Sequence, residues 1–340
     1  MLTTTRNVLC RLIALMLIAG FSLTALAQAD VKELKLSSPF SPMHLMQAVV
    51  FEPWAKELAA KTSNTLTVRI FPAGALGSGP VQQYKRAIDG VADISFGLQG
   101  YTSSLFPRTL LADLPGFEIE NNVQMTDRLW DAMSLIQEDY KDTKLLAAWT
   151  IGPYVVMTKT RAVRSLEDMK GMRLRTTSSF LGKALALWGA TPLTMDVTGA
   201  YSALQTGVID GLLIGTSAIR SFKLGEQIRY YTDSPPLYTS LFLVMNRNSY
   251  ASLSASQKAI IDGTTGRSLS LKAAKAYDVE TVNELERELK SGRGQLIKLS
   301  QAEKKRWVEK TSGLLEDTIK KLESDGIPAK KIVSILSGNR

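Results

Sequence analysis

The chain has 340 residues, 45% of them hydrophobic and 21% charged, which excludes a disordered or low-complexity protein and exceeds what one core usually serves. Its 41 basic and 32 acidic residues leave a formal charge of +9, yet the signs are interleaved, as in Glu284-Leu285-Glu286-Arg287-Glu288-Leu289-Lys290. No basic stripe tracks a phosphate backbone, so nucleic acid is not an expected partner, and the excess charge implies only a bias toward anionic solutes.

The chain opens with the pattern of an export signal. Arg6 and Arg11 precede or border the apolar run Leu12–Leu26, and Ala25-Leu26-Ala27 or Ala27-Gln28-Ala29 supplies a small-x-small cleavage site. Residues 1–29 are expected to be removed on passage to the periplasm, an uncleaved anchor being the alternative. The single cysteine, Cys10, would leave with them, and the mature chain would have no disulfide, thiol nucleophile or thiolate metal site.

Val31–Ser38 alternates and reads as a strand. Leu45, Val49, Trp54 and Leu58 then follow helical spacing, and Asn64–Phe71 is a second strand, a β-α-β opening that predicts a mainly parallel sheet. Phe40 and His44 sit in and after the turn that ends the first strand and are candidate pocket residues; a solvent-facing loop is the alternative for His44. The glycine-rich loop Pro72–Gly79 lacks the Lys-Ser/Thr of a P-loop and the spacing of a dinucleotide fingerprint. A helix over Val81–Asp89 leads to the turn and strand Gly90–Phe96. The loop Gly97–Thr102 leaves the carboxyl end of that strand, where open α/β sheets hold ligands, making Gln99 and Tyr101 candidates. For Tyr101 the alternative is an exposed loop aromatic or a lid over the core.

Met125–Tyr140 has helical spacing, and Lys144–Trp149 and Tyr154–Thr158 read as strands on either side of a crossing near Gly152-Pro153. Phe180–Trp188 and Thr198–Thr206 read as helices, Val208–Ile214 as a return to the sheet, and Asp233–Tyr238 as an extended crossing back. Leu241–Met245 is a buried strand, Leu269–Lys290 a long amphipathic helix, and Ala302–Leu322 and Ala329–Leu336 a helical tail with a solvated basic face. The expected division is lobe I, residues 30–152 with 241–280, and lobe II, residues 153–240 with 281–340.

Between the crossings lies Lys170–Thr176, where alternation points Arg173 and Arg175 to one side of an extended segment and Leu174 to the other. A guanidinium presents a fixed fork of donors that matches a carboxylate, so an arginine facing a cleft is a natural hook for an organic acid.

Ser165-Leu166-Glu167-Asp168-Met169-Lys170-Gly171-Met172-Arg173-Leu174-Arg175, then Gly189-Ala190-Thr191-Pro192, then Tyr201-Ser202-Ala203-Leu204-Gln205-Thr206-Gly207-Val208-Ile209-Asp210-Gly211 resembles the solute-binding proteins of tripartite ATP-independent periplasmic (TRAP) transporters, the DctP family. Phe71-Pro72, Gly74, Leu76-Gly77 and Leu114-Pro115 fit the same pattern. The resemblance implies an α/β, two-lobe periplasmic-binding-protein-like (type II) fold with a central ligand cleft, crossing strands and a long helix spanning both lobes. It implies a periplasmic receptor, without catalytic residues, metal or cofactor, that passes a small organic acid to a TRAP membrane permease, and a monomer is expected. The family's carboxylate-holding arginine falls on Arg175.

Two departures bear on the ligand. Tyr154 and Val155 stand where many relatives carry a second arginine, and Leu212-Leu213-Ile214, then Gly215-Thr216-Ser217, stand where relatives carry a more polar segment. One guanidinium balances one carboxylate, so a monocarboxylate with a partly apolar or aromatic body is expected. Tyr154, Ser178, Thr216 and Tyr238 complete the candidate ligand-binding residues. The rival class is a periplasmic carboxylate-handling hydrolase or lyase on a similar scaffold. It would have to use His44, the one histidine, and the chain has no Gly-x-Ser-x-Gly elbow and no His or Cys cluster.

Overall fold

The computed structural model describes residues 31–339, so the expected export signal and Cys10 lie outside the described residues. Alternation in β1 (Lys32–Ser37) sends Leu34 and Leu36 inward and leaves Lys35 exposed. With β2 (Leu66–Phe71), β3 (Ile94–Leu98), β4 (Thr143–Ile151) and β10 (Thr239–Asn246) it forms a five-stranded sheet of order β2-β1-β3-β10-β4. The second sheet has six strands in the order β11-β9-β5-β8-β6-β7. They are β5 (Tyr154–Thr158), β6 (Arg173–Thr176), β7 (Thr191–Thr194), β8 (Gly211–Gly215), β9 (Tyr230–Asp233) and β11 (Gln295–Lys298).

The sheets are mixed, which corrects the mainly parallel expectation. β1 pairs with β3 in parallel, and β6 with β7 and β8, but β10 runs antiparallel to β3 and β4, and β5 antiparallel to β8 and β9. β5 and β10 are the two strands that arrive straight from the other sheet. Neither is preceded by the helical return that would turn it parallel to its neighbours. The two crossings lie side by side: Tyr154 N–H donates to the Leu237 carbonyl at 2.8 Å, and the Ser234 hydroxyl to the Tyr154 carbonyl at 3.0 Å.

Both faces of each sheet are covered, which is why the central strands read as continuous apolar runs. In β10, Leu241, Leu243 and Met245 enter one core with Trp54, Phe96 and Trp149, while Phe242 and Val244 enter the other with Phe106 and Tyr84. β8 divides in the same way, Leu212 and Ile214 against Leu213. Each core therefore continues from one lobe into the other. Gly211 closes the Val-Ile-Asp-Gly run because a Cβ there would collide with the Met157 carbonyl of the neighbouring strand.

The long helix runs Arg267–Lys290 and touches both lobes. Its first turn is fixed on β4, Ala148 N–H donating to the Ser270 hydroxyl at 3.0 Å. Further along, the Thr216 hydroxyl donates to the Thr281 carbonyl at 2.6 Å, and Arg220 pairs with Glu280 at 2.8 Å. The helix expected over Met125–Tyr140 is instead Asn122–Asp131, capped by Asn121, followed by the short turns Met133–Ile136 and Gln137–Tyr140. In the tail, Gln301–Ser324 buries Trp307, Leu314 and Leu322, and Ala329–Leu336 lies against the helix Asn122–Asp131. There the Arg128 guanidinium donates to the Leu336 carbonyl at 3.1 Å. Among the described residues, no helix is long and apolar enough to cross a membrane, and no group of three or more His, Cys, Asp or Glu is placed to hold a metal ion.

Candidate ligand-binding site

Between the lobes lies a pocket of about 420 Å³, counting the space that opens to solvent. Arg175 enters it from β6, held in register by β8 and β7, and is wholly buried. Its Nε donates to the Met195 carbonyl at 2.9 Å and its Nη2 to the Tyr101 hydroxyl at 3.1 Å. Nη1 has no hydrogen-bond partner among the described residues. Arg173, two residues earlier, is at the surface, where Asp210 takes its guanidinium at 2.7 and 3.1 Å and is in turn held below the usual carboxylate range by the Arg173 hydrogen bonds.

Tyr101 joins the lobes at this point. Its hydroxyl accepts from Arg175 and also from Val197 N–H at 3.2 Å, which occupies both lone pairs and leaves its own proton to donate. Burial raises the Tyr101 phenol, and the Arg175 charge opposes the rise. Tyr154, at the start of β5, is likewise raised by burial, with Arg175 opposing. Gly100 packs against the second lobe: a Cβ there would stand 2.9 Å from Ser178 Cβ and 3.2 Å from the Thr177 carbonyl.

An aromatic group forms another part of the wall. Phe40 lies 4.5 Å from the His44 ring and meets Phe222 edge-on at 5.4 Å, and the Tyr277 ring lies 6.3 Å from His44. His44 Nδ1 accepts from Met46 N–H at 3.4 Å, and desolvation pushes its pKa down to about 3. The ring is therefore neutral at physiological pH, and with Nδ1 accepting, the proton sits on Nε2. Leu98, Ile151, Val197, Ile214 and Leu241 complete an apolar lining, and none of the lining residues is acidic.

Of the sequence candidates, Arg175, Tyr101, Tyr154, His44 and Phe40 come together on this pocket. The other four do not line it. Gln99 follows Leu98 on the strand and so turns to the opposite face, where its amide donates to the Tyr140 hydroxyl at 2.7 Å. Ser178 caps the helix Ser179–Leu187, its hydroxyl accepting from Leu181 N–H at 3.2 Å. Thr216 is bonded to the long helix, and the Tyr238 hydroxyl to the Ile119 carbonyl at 3.3 Å. Sequence reasoning passed over Thr177, Ser217, Phe222 and Tyr277. Tyr277 stands on the long helix and Phe222 at the end of the short turn after β8, and no local pattern marks either as a pocket residue.

Comparison with known proteins agrees with this arrangement. Residues 36–322 match the model of the bacterial extracellular solute-binding proteins, family 7. A TRAP solute-binding protein from an unidentified microbe of a marine metagenome, specific for aromatic acid ligands and solved with metahydroxyphenylacetate, superposes with a TM-score of 0.86 at 29% identity, over 91% of this chain and 98% of that one. A TRAP periplasmic solute-binding protein of Bordetella bronchiseptica, solved with (R)- and (S)-mandelate, gives 0.83 at 25% identity over 90% and 98%. The 2,3-diketo-L-gulonate-binding periplasmic protein of Escherichia coli is 24% identical over 250 residues, 72% of this chain and 74% of its own. These matches give no support to a hydrolase or lyase. The chain belongs to the bacterial extracellular solute-binding proteins of family 7, the periplasmic receptors of TRAP transporters, which are not enzymes.

Proposed function

We propose that the protein is the receptor for a ring-bearing monocarboxylate, whose carboxylate is held by Arg175 and whose apolar body fills the space between Phe40, Leu98, Ile214 and Phe222. The observation that carries this reading is the wholly buried guanidinium with Nη1 unpartnered and no acidic residue on the wall. A buried cation without a counter-ion is costly, and one carboxylate accepting from Nη1 and from the Tyr101 O–H would satisfy both donors and the charge. A dianion would bring a second negative charge into a pocket with one cation. The aromatic acids bound by the marine and Bordetella relatives point the same way.

The two lobes, 30–152 with 241–280 and 153–240 with 281–340, would close on the ligand about the paired crossings and present the closed surface to the permease. The receptor would act as a monomer. Residues 1–29 would direct the chain to the periplasm. A thermal-shift panel of residues 30–340 against mono- and dicarboxylates, aromatic acids, sugars and amino acids tests the reading. At a hundredfold excess over Kd a true ligand adds roughly 2.7 kcal/mol of stability. Shifts with ring monocarboxylates are expected; shifts confined to dicarboxylates or sugars would overturn the ligand class.

A further inference from the structure

Besides Arg175 and Tyr101, the pocket wall carries the polar side chains of Tyr154, Thr177 and Ser217 and, among the aromatic rings, the pair His44 and Tyr277. His44 presents a neutral ring with its proton on Nε2, and Tyr277, on the long helix, is buried to 3% exposure. Neither His44 Nε2 nor the Tyr277 hydroxyl makes a hydrogen bond among the described residues, and no hydrogen bond links the pair to Arg175 or Tyr101. Both belong to the pocket lining, beside Phe40 and Phe222. Burial keeps the Tyr277 phenol protonated, its pKa well above the ordinary value.

We propose that His44 and Tyr277 form a hydroxyl-recognition subsite, so that the preferred solute is a hydroxy-substituted aromatic monocarboxylate rather than the unsubstituted acid. The inference rests on Arg175 holding the carboxylate. An N–H donor beside a phenol, which both donates and accepts, matches a hydroxyl: one lone pair takes the His44 Nε2 hydrogen, and the hydroxyl and the Tyr277 phenol share a second bond in either direction. A second carboxylate finds no cation here, and an ammonium group finds no anion. Phe40 and Phe222, already edge-on to one another, supply faces and edges for a single ring. An unsubstituted ring would leave two desolvated polar groups without partners, which is the condition under which protein sites discriminate most strongly.

The test is calorimetric titration of residues 30–340 with benzoate, the three hydroxybenzoates, phenylacetate and the hydroxyphenylacetates. At least one hydroxy isomer is expected to bind about tenfold or more tightly than its parent acid. In Tyr277→Phe, with folding checked by thermal melting, the ratio of the two dissociation constants should collapse to within about twofold of unity. His44→Phe, which keeps an aromatic ring but no donor, should lower the same ratio and serves if Tyr277→Phe does not fold. Parent acids that bind as tightly as every hydroxy isomer overturn this inference and leave the Arg175 reading standing. A ratio unchanged in a folded variant, or a uniform loss for all acids, overturns it as well, since the side chains would then act only in packing. If no ring acid binds, the functional reading falls and the inference with it.

Discussion

Replacing Arg175 by methionine removes the hook while nearly filling its space. Nε and Nη2 are committed to the Met195 carbonyl and the Tyr101 hydroxyl, so the ligand's share is Nη1 and the charge. A charge-assisted contact in a site with Arg175 wholly buried is worth roughly 2–5 kcal/mol on truncation, an affinity loss of about 30-fold to several thousand-fold. The ligand-free protein should melt close to wild type. Tyr101 keeps its bond from Val197 N–H, the Met195 carbonyl loses one donor, and an uncompensated buried charge is gone. Arg175→Lys retains charge but not the fork, so it should bind with intermediate affinity. Calorimetry with the best ring acid, beside melting curves without ligand, gives both quantities. Binding by Arg175→Met within about threefold of wild type would place the carboxylate elsewhere and refute the reasoning.

Arg173→Ala should leave ligand affinity unchanged, because Asp210 holds that guanidinium at the surface; a larger loss there than at Arg175 would exchange their roles. Gly100→Ala should weaken binding by about 1–3 kcal/mol, since the added methyl meets Thr177 and Ser178 where the lobes touch; undiminished affinity by titration would show that closure does not need this contact. Asp113 is buried, its carboxyl raised to about 7 by desolvation despite bonds from Thr239 at 2.9 Å and Ser240 at 2.5 Å. The folded state thus holds a proton that the unfolded chain releases near pH 4, so this group's contribution is full below pH 4 and is lost as pH rises toward 7. His44, lowered to about 3, acts with the opposite sign over much of that range, so the readout is a difference. Asp113→Asn should gain stability relative to wild type between pH 4 and 7, by at most about 1.4 kcal/mol per unit, in denaturant titrations; a flat difference would mean that Asp113 stays ionised.

How far the site could be read in advance depended on what kind of information each residue carries. Arg175 was legible because strand alternation and the surrounding motif agree on where it points. β10 was legible because a strand buried on both faces is apolar throughout, and the tail helices because their apolar spacing persists over many turns. Gln99 misled because the position after a strand's last inward residue faces away, and only the irregular turn that follows returns Tyr101 to the cleft. The direction of β5 and β10 was hidden because it is set by where each strand comes from, not by its composition. Tyr277 and Phe222 reach the pocket through a long helix and a turn after β8, placements that local pattern does not encode.

The unpartnered Nη1 also bears on signalling fidelity. When the lobes meet without a solute, that N–H is sealed from water with nothing to accept its hydrogen, at a cost of about 1–3 kcal/mol, which thins the empty closed population by roughly 5- to 150-fold. A permease that responds to the closed outline would then seldom be addressed by a receptor carrying no cargo. On the proposed reading, the atom that would give the solute its grip would also act as a check against false delivery.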